Sequence, residues 1–462
     1  MGREQNKLTK LQTPKNDDKT VYITHVIDTE GPLFEPLEAT FARLEDMFGV
    51  QGLSETRQTL EALREGKVDL GGSEKAVAEA LSGHLLTYNG TWDQIDRMLD
   101  RIMSETFRMQ FPDSFGGGWV YNWHCLDHVG FAYNPRRRDM GYHSVFDHYS
   151  RRLQTESQDA LHFHFHPMST YRDAHRCATS FVNSPELYEI LCRRIIERKW
   201  FPAVFRAGFQ TERPDSNLFL EQWIPFDISN MAVDDPTEFD KSIDFKNGRS
   251  GDWRMAPADW SIYHPDHDNY QLEGNCRRWI ARCLNVMNRI ASIDQPEMDK
   301  AFARAQKGQP TLVGVTGHDF RNLGTEVEFL TGLIRQASEK YPDVKFKYCE
   351  ATEAFRHVTG ANLNTSRSLE LSLKLNRNPS DDVPNLEIKT VQGKVFGPQP
   401  FLAIEMGGRR FIHDNLDFST EGNRWYYAFH TDTLPLDDAR RIGVAANDAQ
   451  GNTWVEVIDV NK

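Results

Sequence analysis

The segment Leu161-His162-Phe163-His164-Phe165-His166-Pro167 sets three histidines on a strict period of two. In an extended strand, residues i, i+2 and i+4 project from one face, so the three imidazoles point the same way. Convergent imidazole nitrogens at one strand end are the donors a borderline divalent metal such as zinc takes. The plainer reading is a half-buried strand with phenylalanines in the core and histidines in water. Eight of the 16 histidines fall between His124 and His175. That clustering points to one site built from neighbouring segments, with His162, His164 and His166 as candidate metal ligands.

Three more segments carry groups suited to the same chemistry, each at or just after a strand pattern, where α/β folds place ligands. Asp28-Thr29-Glu30-Gly31 sets two carboxylates one residue apart. One can bind a metal while the other polarises a water, and the plain alternative is a helix or turn cap. Phe205-Arg206-Ala207-Gly208 puts an arginine behind a strand, able to fix a carboxylate. Gly317-His318-Asp319 offers a histidine for general acid catalysis, oriented by a neighbour. A helix cap with a surface histidine would read the same way locally.

The frame that must position these groups is α/β. Strand patterns at 21–27, 119–123, 161–166, 203–205, 226–228, 311–315 and 344–348 alternate with helical stretches at 36–64, 91–107, 185–198, 275–291 and 326–340. From about 366 the segments become short and alternating, as in Leu369-Glu370-Leu371-Ser372-Leu373 and Trp425-Tyr426-Tyr427-Ala428-Phe429, with turn signals such as Asn378-Pro379-Ser380 between them. The pattern predicts a tail over 1–19, an α/β barrel or open sheet over 20–360, and an all-β, sandwich-like domain over 361–462.

The order carboxylate pair, histidine cluster, arginine, then histidine resembles the polysaccharide deacetylase family over roughly residues 20–356. The resemblance implies an incomplete (β/α)7 barrel, one divalent metal, and removal of acetyl groups from amino sugars. Asp28 then matches the catalytic base and Glu30 a metal ligand. His162 and His166 match the family's histidines four residues apart, and His164 is an extra that could replace either. Arg206 matches the arginine that holds the base, and His318 the histidine that protonates the leaving amine. Asp259-Trp260 is similar to an aspartate-tryptophan motif. Substrate contacts are expected from Trp123, His124, Asp259, Trp260 and Asp319, with Trp119 and Tyr263 as further stacking candidates. The first motif departs from the adjacent Asp-Asp form, since glutamate stands as the ligand; glutamate binds zinc equally well. The segment Tyr121–Tyr149, with His124, Asp127, His128, His143 and His148, matches no core motif. It reads as a substrate-binding insertion or as a second metal set, His124 and His128 sharing a face if helical.

Two other readings use the same residues. A glycoside hydrolase on a related barrel needs a second carboxylate opposite Asp28, with Asp259 or Asp319 as candidates. A non-catalytic carbohydrate-binding or scaffold protein needs no turnover at all.

Composition narrows the field. With 462 residues, 39% hydrophobic and 11% aromatic, the chain has material for two or three cores. A net charge of -13 argues against nucleic acid as the main partner, and Arg136-Arg137-Arg138, the one basic run, reads as a solvated loop. Six scattered cysteines without a C-x-x-C pair predict free thiols in a reducing compartment. A polar amino terminus and the lack of any long apolar run predict a cytoplasmic chain with no membrane span.

Overall fold

In the computed structural model the described residues are 19–461, apart from 154–156, 168–171, 173–179, 238, 240–249, 289, 361–367 and 378–382. The predicted tail and the Asn378-Pro379-Ser380 turn therefore lie outside them, save for Lys19.

Eight strands make the first sheet: β1 (Thr20–Thr29), β2 (Tyr121–Cys125), β3 (Ala160–Phe165), β4 (Val204–Ala207), β5 (Phe226–Asn230), β6 (Trp279–Asn285), β7 (Thr311–His318) and β8 (Lys345–Tyr348). All pair in parallel in the order β2-β3-β4-β5-β6-β7-β1, and β1 also pairs with β2, which closes a seven-stranded ring. The barrel is therefore complete, and the expected incompleteness is corrected. One edge of β1 is shared: Thr20–Ile23 pair with β8, and His25–Thr29 pair with β2.

A second correction falls at β6. The helix predicted over 275–291 is instead a barrel strand with Ile280 to Asn285 all buried. A parallel strand covered on both faces shows no alternation, so its apolar run cannot be told from a buried helix by period alone. The long helix predicted over 36–64 is two helices, Leu37–Phe48 and Arg57–Arg64. Gly49, at φ 68°, ends the first in the left-handed conformation. The Thr91 cap is as expected, its side chain accepting from Gln94 N at the start of the helix Trp92–Ile102.

Strand alternation sorts the side chains into layers. Tyr22 and Val26 of β1 join Phe226, Ile228, Ala281, Cys283 and Leu312 in one cluster, which the helix Ala351–Thr359 closes through Ala354 and Phe355. Val21, Ile23, Ile27, Tyr121, Trp123, Val313 and Val315 face the other way, into the layer shared with the surrounding helices. Asp28 has the parity of Val26, so it points into the barrel mouth.

The chain's last part is antiparallel: β9 (Glu370–Asn376), β10 (Asn385–Gln392), β11 (Phe401–Met406), β12 (Phe411–Asp414), β13 (Asp417–Phe418), β14 (Arg424–Ala428), β15 (Ala439–Asn447) and β16 (Thr453–Asp459). They form two four-stranded sheets, β13-β14-β10-β9 and β12-β11-β15-β16. Leu386, Ile388 and Trp425 of the first share a buried cluster with Leu402, Ile404, Ile442 and Val444 of the second. The other face of the second sheet presents Phe401, Ala403 and Ala445 to Leu187, Leu191 and Ile195 of the helix Glu186–Arg198. Close approach there needs Gly443, since a Cβ would lie 2.6 Å from Ile195. Asn447 adds hydrogen bonds to the carbonyls of Pro202 (2.7 Å) and Trp223 (2.9 Å). This domain thus braces the helix between β3 and β4, the two strands that carry the histidines and Arg206.

Among the described residues, no helix is long and apolar enough to cross a membrane. Cys125, Cys192, Cys276, Cys283 and Cys349 are all free thiols, as their spacing predicts; Cys177 lies outside the described residues.

Candidate metal centre

The strand ends bring the predicted groups together by register. Asp28 on β1 is level with His318 on β7, and His164 on β3 is level with Arg206 on β4. Glu30, His164 and His166 form a buried group whose ligand atoms all lie within 4.8 Å of one another. The Nε2 atoms of His164 and His166 are 3.0 Å apart. Glu30 Oε1 lies 3.7 Å from His166 Nε2 and 4.0 Å from His164 Nε2. Two nitrogens sharing a tetrahedral ion at about 2.0–2.1 Å lie roughly 3.4 Å apart, so the donors fit a single metal.

Each candidate ligand is held from behind. His164 Nδ1 lies 2.9 Å from the Arg206 carbonyl, which fixes the ring and leaves Nε2 as the lone-pair donor. The second Glu30 oxygen is paired with buried Arg138 at 2.5 Å, and His128 Nε2 lies 3.1 Å from the Glu30 carbonyl. Asp319 accepts from the backbone N–H of Glu30 (3.0 Å) and Gly31 (2.9 Å) and from the Tyr149 hydroxyl (2.9 Å). His166 packs against Gly208 so closely that a Cβ there would lie 2.0 Å from its ring. Phe209 and Gln210 follow at φ 51° and 50°, strained conformations for residues with side chains, and both line the cleft.

Asp28 and Arg206 are directly paired. Arg206, fully buried, donates Nε to Asp28 Oδ1 (2.7 Å) and Nη1 to the Ile228 carbonyl (2.9 Å). With its amide turned to suit both neighbours, Gln210 accepts from Arg206 Nη2 at 2.8 Å. Burial alone would raise the Asp28 carboxyl, but the Arg206 charge, helped by His164 and His318, brings it below the usual range. Burial dominates at Glu30, whose carboxyl is raised despite Arg138. His318 Nε2 lies 3.8 Å from Asp28 Oδ2, and burial pushes its imidazole down to about 3, so it rests neutral. Burial likewise pushes Asp319 up to about 6, although the Glu30 and Gly31 amides oppose it.

Several expected site residues go elsewhere. His162 stands apart from the ligand group. Two residues along a strand advance about 6.6 Å, and one layer down its Nε2 meets Asn122 Oδ1 and Glu350 Oε1, each at 3.1 Å. His164, the extra histidine, takes its place. His124 sits in the barrel interior beside His162, ring centroids 4.7 Å apart, and is fully buried. Since His124 lies on β2, it cannot form a helical pair with His128, and the second metal set is not formed. Trp123 faces the helix layer under Tyr149 and is fully buried. Trp260 is buried beneath Arg282 and donates to the Glu297 carbonyl. Trp119 and Tyr263 are buried as well. None of these rings is available to stack on a ligand. Asp259 pairs with Arg304 at 2.6 Å, beside the carbonyl of Pro310 that leads into β7 at the barrel's opposite end. Asp319 serves backbone amides and does not face the cleft. His143 and His148 meet Glu197 (2.7 Å) and Asp96 (2.8 Å), and Asp127 meets buried Arg194 (2.6 Å), so the unmatched segment is barrel wall.

The basic run is the largest surprise of the sequence. Arg138 is buried on Glu30, Arg136 pairs with Glu35 at 3.1 Å, and Arg137 lies over the Phe34 ring. Arg136 lines the cleft and Arg138 is buried behind Glu30, while Arg137 alone is exposed, so the run is not simply a solvated loop. No local pattern marks Arg138; its proximity in sequence to the histidine cluster was the one available signal. Asp28, Glu30, His164, His166 and His318 open into a cleft of about 220 Å³. No protein-family model matches the chain, and neither a curated protein nor a solved structure matches it.

Proposed function

We propose that this chain is a metal-dependent amide hydrolase that removes the acetyl group from an N-acetylated sugar. The observation that carries the reading is the pairing of Asp28, held at 2.7 Å by buried Arg206, with His318 level with it on the neighbouring strand β7, both beside a Glu30, His164 and His166 donor set. Two imidazoles and a carboxylate suit zinc best among the divalent ions. A divalent ion held there supplies Lewis acidity toward an acyl oxygen and a water of lowered pKa.

The chain's own groups divide the proton work. Asp28, ionised at neutral pH, accepts a proton from water, and Arg206 keeps the carboxylate aimed while leaving its Oδ2 clear. His318 starts neutral, so the proton it delivers to the departing amine arrives during turnover. Asp28 Oδ2, 3.8 Å from its Nε2, is the group that relays it. Glu30 and His164 stay fixed throughout, because Arg138, Asp319 and the Arg206 carbonyl hold them, and His166 is confined by its packing on Gly208.

The glycosidase alternative loses both its second carboxylates, since Asp259 pairs with Arg304 and Asp319 is tied to backbone amides. The test is acetate release from a panel of N-acetylhexosamines and their oligomers by zinc-loaded protein. Release by wild type, abolished in Asp28→Asn and in His318→Ala while each variant keeps its metal, supports the reading. Metal-loaded wild type that releases no acetate from any member of the panel overturns it.

A further inference from the structure

The chain is acidic overall, with a net charge of -13, yet the wall of its cleft is rich in arginine. Arg43, Arg136 and Arg321 line the same space as Asp28, Glu30 and the histidines. Asp28 and Glu30 each have a guanidinium of their own, Arg206 and Arg138. Beyond them, Arg43 and Arg136 share one carboxylate. Arg43 donates Nε and Nη2 to Glu35 Oε1 (3.3 and 3.0 Å), and Arg136 Nε lies 3.1 Å from Oε2. Glu35 is itself buried and fixed by the Thr40 hydroxyl at 3.0 Å. Two guanidiniums on one carboxylate leave a net positive charge, and Arg136 has neither terminal nitrogen hydrogen-bonded among the described residues. Both side chains are held at low exposure, 14% and 18%, so this charge is pre-positioned and not a mobile surface arginine.

We propose that the cleft binds a substrate carrying an anionic group, a phosphate or a carboxylate, which Arg136 and Arg43 receive while the acetamido end reaches the metal centre. The placement rests on the cleft being the substrate site. Glu30 and Glu35 are five residues apart, a separation that spans at most about 18 Å, so the anion sits within a few sugar units of the reacting bond. Arg321 adds a third positive charge on the same wall. The terminal N–H groups of the Arg136 fork match the oxygens of either anion.

The experiment is calorimetric binding of glucose, glucose 1-phosphate and glucuronate to the full chain, which needs no turnover and so is independent of the deacetylase reading. At least one anion binds wild type more tightly than glucose, and Arg136→Gln and Arg43→Gln each cost that anion about 10- to 100-fold. Arg136→Lys recovers part of the loss. A preference for glucose 1-phosphate assigns a phosphate, and a preference for glucuronate a carboxylate. The second readout is the ratio of kcat/KM for N-acetylglucosamine 1-phosphate over N-acetylglucosamine, which falls at least tenfold in Arg136→Gln. Equal binding of glucose and both anions, or anion binding that Arg136→Gln leaves intact in a folded variant, overturns the proposal.

Discussion

Gly208→Ala is the sharpest perturbation the site offers. Gly208 has no left-handed φ, so alanine costs its backbone nothing there. The added methyl, however, would stand 2.0 Å from His166 Cδ2 and 2.8 Å from its Nε2. Carbon atoms in contact settle near 3.5–4.0 Å, so ring and methyl must part by roughly 1.5 Å. His166 cannot absorb that and keep Nε2 at 3.0 Å from the His164 nitrogen, whereas a working ligand tolerates only about 0.2 Å. Metal affinity should fall by at least the roughly 10- to 100-fold that loss of a ligand's outer support costs. Overpacking should take about 1–3 kcal/mol from stability. The assay is elemental analysis of dialysed protein, joined to a zinc titration against a chromophoric chelator and a thermal melt. A folded Gly208→Ala protein with the wild-type zinc Kd would refute the argument, because His166 would then not be a ligand in the position described.

Other outcomes follow from the same geometry. His164→Ala should abolish metal binding while His162→Ala leaves it near wild type, read by metal content per chain; the reverse result would move the site one layer down the barrel. Arg278 is fully buried against Glu212 (2.8 Å), Glu221 (2.9 Å) and Asp227 (3.3 Å), so Arg278→Met takes the shared guanidinium from three carboxyl groups, two of them fully buried. It should cost about 3–5 kcal/mol in denaturant unfolding, and an unchanged midpoint would contradict the burial. Burial raises Glu326 to about 8, and neither carboxyl oxygen is hydrogen-bonded among the described residues. The folded state keeps a proton that the unfolded state gives up near pH 4.5. Its contribution is therefore present below pH 4.5 and is lost as pH rises to 8, at about 1.4 kcal/mol per pH unit. Glu326→Gln should flatten the melting-temperature profile between pH 5 and 8, and a profile parallel to wild type would discard the assignment.

How much was legible beforehand depends on how local each signal was. Asp28, Glu30, His164, His166, Arg206 and His318 stand out because each follows a strand pattern and has a side chain with few structural uses. The change to antiparallel sheets after residue 366 was equally readable from short alternating segments. Trp123, Trp260 and Asp259 were misassigned because an aromatic ring or a carboxylate near a strand end looks the same on either side of the wall. Which side it faces is a matter of strand parity and of what the neighbouring helix covers. Arg138 was missed for the opposite reason, since nothing in Arg136-Arg137-Arg138 distinguishes the arginine that is buried on Glu30 from the one that lies over Phe34.

The donors and their order along the chain are local properties, since period-two spacing fixes three imidazoles to one strand face whatever surrounds them. Long-range packing sets the rest: that His164 and not His162 joins Glu30, that the ring of strands closes through β6, and that an arginine pair faces the cleft of an acidic chain. Those outcomes depend on register between strands and on contacts between residues far apart in sequence, such as Asp28 with Arg206 and Glu30 with Asp319. Local spacing carries no record of them, because a one-residue shift in register would leave every motif intact and move every side chain to the other face.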